Sequence, residues 1–324
     1  MLWLAAFAAA LVWALVGAYV AAMRRYGRLD APNARSMHAR PKPAGAGIVA
    51  VPVAVLGWLW LIGTVPQTAA WVAAGALGLS ALGWADDMRG LPVRLRLLAQ
   101  ILAVVAVVAV LPAEARVWPA LPLAVERGLE ILAWVWFVNL FNFMDGIDGL
   151  AGSEAAMLGA GYVLVAGVAA IGAPLGVLIA GAMVGYLVWN WAPGRVMMGD
   201  AGSLPLGYLT GWLMLDLALA GHLAAALILP AYFVADATST LVSRLARGKL
   251  PYEAHREHFY QLAALGCGSH GTVVTGVIAA NVALVLLALV SLRDAVAAGM
   301  AALLVLAVLF AWLAWLQQAK ARQA

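Results

Sequence analysis

One stretch of the chain, NLFNFMDGIDGL, carries an amide or carboxylate side chain at every third residue. Asn139, Asn142, Asp145 and Asp148 would line one wall of a helix, or of a helix that opens into a glycine-rich turn. Ionisable groups at the edge of an apolar helix are costly to desolvate and indicate a functional site by default. Their oxygen atoms suit a hard cation and an accompanying phosphate. The alternative is a polar turn that caps the next helix.

Two further acidic clusters have the same setting. Asp86 and Asp87 lie in GWADDMRG, at the end of an apolar segment, and Asp200 lies in MMGDAGS. Adjacent side chains on a helix point about 100° apart, so we expect one aspartate to address a cation or proton and the other a neighbouring group. Mg²⁺ takes few protein carboxylates and leaves its other positions to phosphate and water, which suits a lone aspartate. The alternatives are a solvated helix end beside arginines and a helix N-cap.

A basic loop, RLARGKLPYEAHREHFYQ, has His255 and His258 on either side of Arg256. Zinc would need a third and a fourth ligand at suitable spacing, and only glutamates are near. A cationic clamp on a diphosphate is favoured, because arginine offers a planar fork of donors to phosphate oxygens. The alternative is a basic stop-transfer loop at the membrane surface. Asp236, within the preceding apolar run, is a candidate partner of this loop.

The composition predicts the fold that holds these clusters. Hydrophobic residues make up 65% of the chain, charged residues 10%, and the mean hydropathy is +0.96, which exceeds what a soluble core carries. We predict an all-α polytopic membrane bundle, one domain over residues 1–324. Crossing about 30 Å of hydrocarbon takes about 20 helical residues, and eleven runs qualify: residues 1–22, 45–63, 69–85, 94–112, 128–144, 152–172, 174–192, 203–220, 222–243, 271–292 and 295–316. Pro230 is expected to kink the ninth.

The basic residues predict the orientation. Of 19 Lys and Arg, all but Arg116, Arg127 and Arg293 fall in loops of one side, and the positive-inside bias makes that side cytoplasmic. The N-terminus is then periplasmic and the C-terminus cytoplasmic. All three acidic clusters fall on the cytoplasmic side, which predicts a single site there. The net charge of +4 favours anionic lipids and substrates as partners, whereas nucleic acid is excluded because no soluble basic domain exists.

Together these motifs resemble the polyprenyl-phosphate N-acetylhexosamine-1-phosphate transferase superfamily, the WecA-like and MraY-like enzymes of glycosyltransferase family 4. DDMRGLPVRLRLLAQ is similar to the family's DD segment, with Arg96 as its downstream basic residue. NLFNFMDGIDGLAGSE matches the N-x-x-N-F-x-D-G-x-D-G-L-A-x-G signature, and WNWAPGRVMMGDAGSLPLG matches a block in which Asn190 precedes Asp200. The resemblance runs from Arg35 to about His270, and eleven spans resemble the WecA-like branch.

The resemblance implies transfer of an N-acetylhexosamine-1-phosphate, or a 6-deoxy derivative, from a UDP-sugar to undecaprenyl phosphate. UMP would leave, and a lipid-linked surface glycan such as O-antigen would begin. Asn142 and Asp200 would hold Mg²⁺, or Mn²⁺, while Asp86 and Asp87 would orient or deprotonate the lipid phosphate. The residues implied in substrate binding are Asn139, Asp145, Asp148, Asn190, Arg256, His258, His38 and Arg96. The enzyme would lie in the bacterial inner membrane among its lipids, with its site on the cytoplasmic face, and a homodimer is left open.

Departures from the family pattern narrow the substrate. In the first loop His38 leads into RPKPAGAGI, where Ala44 and Ala46 replace a usual Arg and Gly. In the last loop Tyr260 stands where many relatives have His, and the HHH-F-E run of peptidoglycan-precursor enzymes is missing. The differences in the last loop disfavour a large peptide-bearing substrate and favour a simple UDP-N-acetylhexosamine or a 6-deoxy derivative. The alternatives are a phospho-MurNAc-pentapeptide transferase and, from another class, a secondary transporter whose carboxylates would lie near the bilayer midplane.

Overall fold

The computed structural model describes residues 1–27, 29–32, 36–38, 40–167, 170–250 and 255–319. Within these ranges the chain is helical, and its one extended pairing is an isolated bridge between Asp30 and Lys42. Four basic residues of the predicted inner loops lie outside the described ranges: Arg28, Arg35, Lys320 and Arg322.

Thirteen helices follow one another in the part of the chain that the structure describes. They are α1 (Leu2–Arg25), α2 (Gly47–Ile62), α3 (Gln67–Arg89), α4 (Val93–Val108), α5 (Leu123–Phe143), α6 (Leu150–Ala166), α7 (Ala173–Asn190), α8 (Asp200–Leu219), α9 (Leu223–Ile228), α10 (Ala231–Ala246), α11 (Phe259–Cys267), α12 (His270–Val290) and α13 (Ala295–Gln317).

A helix lies at each of the eleven predicted positions, which confirms the all-α bundle. The ninth predicted span is divided into α9 and α10, because Pro230 has no N–H with which to continue a helix. Five helices are long and apolar enough to cross a membrane by length and composition: Leu2–Arg25, Gln67–Arg89, Ala173–Asn190, His270–Val290 and Ala295–Gln317. Gly47–Ile62 and Leu150–Ala166 are shorter apolar helices. The count of eleven spans and their orientation stay predictions.

One helix, α11, lies where hydropathy predicted only a loop. Its nine residues are too few to span a bilayer. It begins at a capping box, in which the His258 side chain accepts the backbone N–H of Gln261 and the Gln261 side chain accepts the backbone N–H of His258. It ends at Gly268, whose φ of 72° is in the left-handed region. Local capping therefore forms a helix that hydrophobicity alone does not indicate.

The most deeply buried helix is α8, in which every residue from Ala201 to Met214 is buried. It packs against the C-terminal end of α3 through small residues. A Cβ at Gly83 would lie 2.2 Å from the Asp200 carbonyl oxygen, and a Cβ at Gly47 would lie 2.0 Å from Gly202 Cα. Because these positions lack side chains, α2 and α3 approach the start of α8 closely, and the acidic clusters meet there.

Candidate active site

Asp87 on α3 holds the start of α8. Its carboxylate oxygens accept the backbone N–H groups of Asp200 at 3.0 Å and of Ala201 at 3.1 Å. The first N–H groups of a helix have no partner within the helix, and a carboxylate there is favoured by the helix dipole. Asp87 therefore acts as a cap supplied by a neighbouring helix, and it fixes the backbone of Asp200.

Arg96 on α4 joins the other two carboxylates. Its Nη1 donates to Asp86 Oδ2 at 2.8 Å and also to Asp200 Oδ2. Asp86 Oδ1 accepts the backbone N–H of Leu91. The adjacent aspartates thus diverge as predicted, Asp87 toward the start of α8 and Asp86 toward Arg96.

Asn142 lies at the last turn of α5, beside the first turn of α8. Its Oδ1 accepts a hydrogen bond from Ser203 Oγ at 2.8 Å, so Asn142 and Asp200 lie on helix ends that touch. Asn139, one turn earlier, points elsewhere: its Nδ2 donates to Gln100 Oε1 on α4 at 2.6 Å. The two amides share a spacing pattern but not a role, because Asn139 ties α5 to α4.

Asp145 follows α5 and lies among the other carboxylates. Within the described residues its side chain forms neither a hydrogen bond nor an ion pair. Burial raises the pKa of the Asp145 carboxyl well above its usual range, and nearby negative charges raise it further, those of Asp200, Asp87 and Asp148. A bound cation would stabilise the ionised form of this partly buried carboxyl, which lies beside other carboxylates.

The types of donor atoms limit which cation could bind here. No group of three or more His, Cys, Asp or Glu side chains in the described ranges could hold a metal ion. Asn142 and Asp200 would instead offer two oxygen ligands. That suits Mg²⁺, which keeps several positions for water and phosphate oxygens.

Asp148 lies at the edge of a second, basic part of the site. Its carboxylate accepts Lys42 Nζ at 2.6 Å and the backbone N–H of Gly194 at 2.9 Å, and His270 Nδ1 lies 3.5 Å away. Burial raises the pKa of Asp148, but hydrogen bonds from His270 and Lys42 outweigh it and lower the pKa to about 2. Asp148 is therefore a charged anchor for the first loop.

A cavity of about 790 Å³ opens beside Asp148. Its lining is rich in side chains that are, or can become, cationic: Arg24, His38, Arg40, Lys42, Arg195 and His270. His38 is oriented by the Arg40 carbonyl oxygen, 3.0 Å from Nδ1, and by Asp30 Oδ2, 3.2 Å from Nε2. A small adjoining cavity of about 40 Å³ is lined by both Asp145 and Asp148, so it connects the basic and acidic parts. An anionic ligand fits the larger cavity.

The side chain of Asn190 forms hydrogen bonds with the protein backbone. Its Oδ1 accepts the Gly149 N–H and its Nδ2 donates to the Val196 carbonyl, both at 2.8 Å. These two hydrogen bonds therefore connect the turn before α6 to the loop before α8. The polar atoms of Asn190 already have protein partners, so its effect on a ligand would pass through those two segments.

The described residues of the basic last loop do not line the large cavity. His258 is 2% exposed, with Nδ1 3.1 Å from Asp236 Oδ1, so the expected link between Asp236 and this loop is observed. Among the described residues, Arg256 Nη1 has one long contact, of 3.5 Å, with the Ser36 carbonyl oxygen. Burial and neighbouring His258 and Arg244 lower the pKa of His255 to about 4, which favours a neutral ring.

Sequence reasoning did not single out several of these residues. In the sequence, Lys42, Arg24, Arg40 and Arg195 are seen only as loop charges, Ser203 only as part of a longer motif, and His270 only as the approximate end of the resemblance. Despite its two alanine replacements, the first loop does contact the site. The Met197 N–H donates to the Pro43 carbonyl at 2.9 Å, and the Gly47 N–H donates to the Met198 carbonyl at 3.1 Å.

Comparison with known proteins finds matches over the segment that carries the acidic clusters. The family model described as Glycosyl transferase family 4 matches residues 69–218. Phospho-N-acetylmuramoyl-pentapeptide-transferases are similar: that of Mycolicibacterium vanbaalenii is 34% identical over 40% of this chain and 46% of its own length. The transferase of Desulforudis audaxviator is 37% identical over 42% of this chain and 49% of its own length. The transferase of Picosynechococcus sp. is 26% identical over 74% of this chain and 71% of its own length. The chain spans about half the length of the first relatives it matches.

The apolar helices and the polar site at one end of the bundle define a multi-pass integral membrane protein. The matches confirm its resemblance to the polyprenyl-phosphate hexosamine-1-phosphate transferase superfamily. The relatives' names belong to the MraY-like branch rather than to the WecA-like branch that the number of spans suggested.

Proposed function

We propose that this protein transfers a sugar-1-phosphate from a nucleoside diphosphate sugar to a polyprenyl phosphate and releases the nucleoside monophosphate. The observation that supports it is the proximity of an acidic cluster at the start of α8 to a basic cavity, with Asp145 and Asp148 between them. Cations on one side would bind phosphates, and carboxylate and amide oxygens on the other would hold a divalent ion.

In the proposed reaction an oxygen of the lipid phosphate attacks the β-phosphorus of the donor. The bond from that phosphorus to the bridging oxygen breaks, and the nucleotide keeps the bridging oxygen as it leaves. Such a transfer asks mainly for positioning and for neutralisation of charge. Lys42, held by Asp148, and Arg40 and Arg195 on the same cavity would bind the donor's phosphates.

Mg²⁺, or Mn²⁺, when bound by Asn142 and Asp200, would act as a Lewis acid on the diphosphate. Arg96 and the capped start of α8 hold Asp200 ready for this role. Asp87 already uses both oxygens on backbone N–H groups, so we assign it to positioning Asp200. Asp86, together with Arg96, is the better candidate to orient the lipid phosphate, which is largely ionised near pH 7 and needs no strong base.

The donor sugar has two candidates. The relatives are named phospho-N-acetylmuramoyl-pentapeptide-transferases, and these names favour a muramoyl-peptide donor over the simple hexosamine expected from the last loop. The sequence AHREHFYQ, which lacks the HHH-F-E run, supports the simple hexosamine. We propose undecaprenyl phosphate as acceptor in either case, at the cytoplasmic face of a bacterial inner membrane.

A comparison of the two donors in separate reactions tests the proposal. Purified protein with Mg²⁺ and undecaprenyl phosphate would receive UDP-N-acetylglucosamine or UDP-MurNAc-pentapeptide, and UMP and lipid-linked product would be measured. Product from one donor alone identifies the sugar. Solute accumulation in sealed vesicles without cleavage of either nucleotide would favour the transporter instead.

A further inference from the structure

Asp236 is a fully buried carboxylate on α10 that the proposed reaction does not use. Its two oxygens accept the backbone N–H groups of Phe259 and Tyr260, each at 3.2 Å. These are the first two residues of α11. Asp236 therefore caps α11 from a neighbouring helix, as Asp87 caps α8.

Three further side chains lie within hydrogen-bond distance of the Asp236 carboxylate, and one of them, the Thr240 hydroxyl, donates to Oδ1 at 3.3 Å. The Tyr232 hydroxyl donates to Asp236 Oδ2 at 3.1 Å, and His258 Nδ1 lies 3.1 Å from Oδ1. A carboxylate with this many donors is well satisfied although it is 0% exposed. The start of α11 is therefore firmly located relative to α10.

Tyr260 links the start of α11 to the turn that holds the candidate metal ligand Asn142. Its ring is buried, and its hydroxyl donates to the Phe143 carbonyl oxygen at 2.9 Å. Phe143 directly follows Asn142, and the Asp145 N–H closes back on the Asn142 carbonyl at 3.1 Å. A Cβ at Gly146 would lie 2.1 Å from the Tyr260 hydroxyl, so the absence of a side chain there lets α11 reach this turn.

We propose that Asp236 and Tyr260 are positioning residues: Asp236 fixes the start of α11, and the Tyr260 hydroxyl then fixes the turn that carries Asn142 and Asp145. Neither side chain would touch substrate. Loss of the Tyr260 hydroxyl would loosen the turn while leaving the cationic side chains of the basic cavity in place, because these come from other segments and Asp148 is the one lining residue from the turn.

The test compares two buried tyrosines that each donate to a backbone carbonyl. Tyr260→Phe removes the bond to Phe143, and the control Tyr208→Phe removes a bond of 3.3 Å to the Ala103 carbonyl on α4. Amide hydrogen exchange of residues 143–149 and steady-state kinetics are measured on the full-length protein in detergent. We expect Tyr260→Phe to raise exchange in this turn and to lower kcat, each about fivefold, with donor KM within about twofold. The control should leave all three unchanged.

Asp236→Asn provides the second variant, because an amide has one acceptor oxygen for two backbone N–H groups. It should raise exchange in both α11 and residues 143–149. If it does not fold, Tyr260→Phe still decides the question. Exchange in Tyr260→Phe equal to that in Tyr208→Phe, or raised exchange with unchanged kcat, would overturn the inference.

The kinetic arm rests on the proposed function, whereas the exchange arm does not. A wild-type protein that releases no nucleotide would contradict the transferase proposal alone. The exchange of residues 143–149 would still report whether Tyr260 holds the turn.

Discussion

The carboxylate of Asp87 on α3 accepts the backbone N–H of Asp200 on α8 at 3.0 Å, although the two residues are 113 positions apart in sequence. The second Asp87 oxygen accepts the next N–H, that of Ala201. The two aspartates therefore have different roles. Asp87 shapes the start of α8, and Asp200 presents a side chain to the site.

Asp87→Asn and Asp200→Asn should consequently fail in different ways. An asparagine at position 87 offers one acceptor to two buried N–H groups, which should lower the free energy of unfolding by about 1–3 kcal/mol. Asp200→Asn removes a negative charge from a cluster of carboxylates and should change the free energy of unfolding less than Asp87→Asn does. Both should abolish nucleotide release. Thermal unfolding in detergent distinguishes them, and wild-type stability in Asp87→Asn would contradict its role as a cap.

Arg96 should be essential where its neighbour Arg94 is not. Arg96→Gln leaves Asp86 and Asp200 without their shared cation, and we expect loss of about 1–3 kcal/mol of stability and at least about a tenfold drop in turnover. Arg94 is exposed on the same helix, so Arg94→Gln should stay within about 0.5 kcal/mol of wild type. Equal behaviour of the two variants would argue against the Arg96 bridge.

Lys42→Met should affect both donor binding and the pH dependence of stability. The pKa of Asp148 is lowered from 3.8 to about 2 in the folded protein, so its ionised form stabilises the fold above about pH 4, and this contribution is lost as the pH falls toward 2. The stability difference between wild type and Lys42→Met should therefore be largest at neutral pH and shrink below pH 4.

The same variant should raise donor KM about tenfold, because Lys42 lines the basic cavity. Arg25→Met, at an exposed position on α1 outside that lining, is the charge-matched control. Steady-state kinetics and unfolding curves at several pH values measure both effects. A stability difference that grows on acidification would show that the Asp148 pKa is not depressed.

Glu154 on α6 and Asn281 on α12 form a buried pair away from the site. Asn281 Nδ2 donates to Glu154 Oε2 at 2.6 Å, while Glu154 Oε1 and Asn281 Oδ1 have no partner in the described structure. Asn281→Leu should cost about 1–3 kcal/mol, because it leaves a buried carboxyl unpartnered. The double variant Glu154→Leu, Asn281→Leu should recover part of that loss. Additive losses in the double-mutant cycle would mean that the two side chains do not interact.

Hydrophobic runs predicted the helices well, because every long apolar segment has become one. The break at Pro230 also followed from the missing N–H of proline. The helix α11 could not be predicted in this way, since its nine residues are held by capping and by Asp236 rather than by apolar length.

The candidate site was predictable in kind but not in detail. Asn139 and Asn142 have the same spacing, yet only the tertiary packing directs Asn139 toward Gln100 on α4. Lys42 looked like one charge among many, because its partner Asp148 is 106 residues away. Sequence spacing reports which residues share a helix face, whereas these pairings depend on how separate helices meet.

The most direct test of the central claim is nucleotide release by the purified protein. With a UDP-sugar, undecaprenyl phosphate and Mg²⁺, we predict UMP and a lipid diphosphate-sugar in equal amounts, and loss of both after chelation of the metal or in Asp200→Asn. UMP formation that does not depend on the lipid phosphate, or no UMP from either donor, would contradict the account.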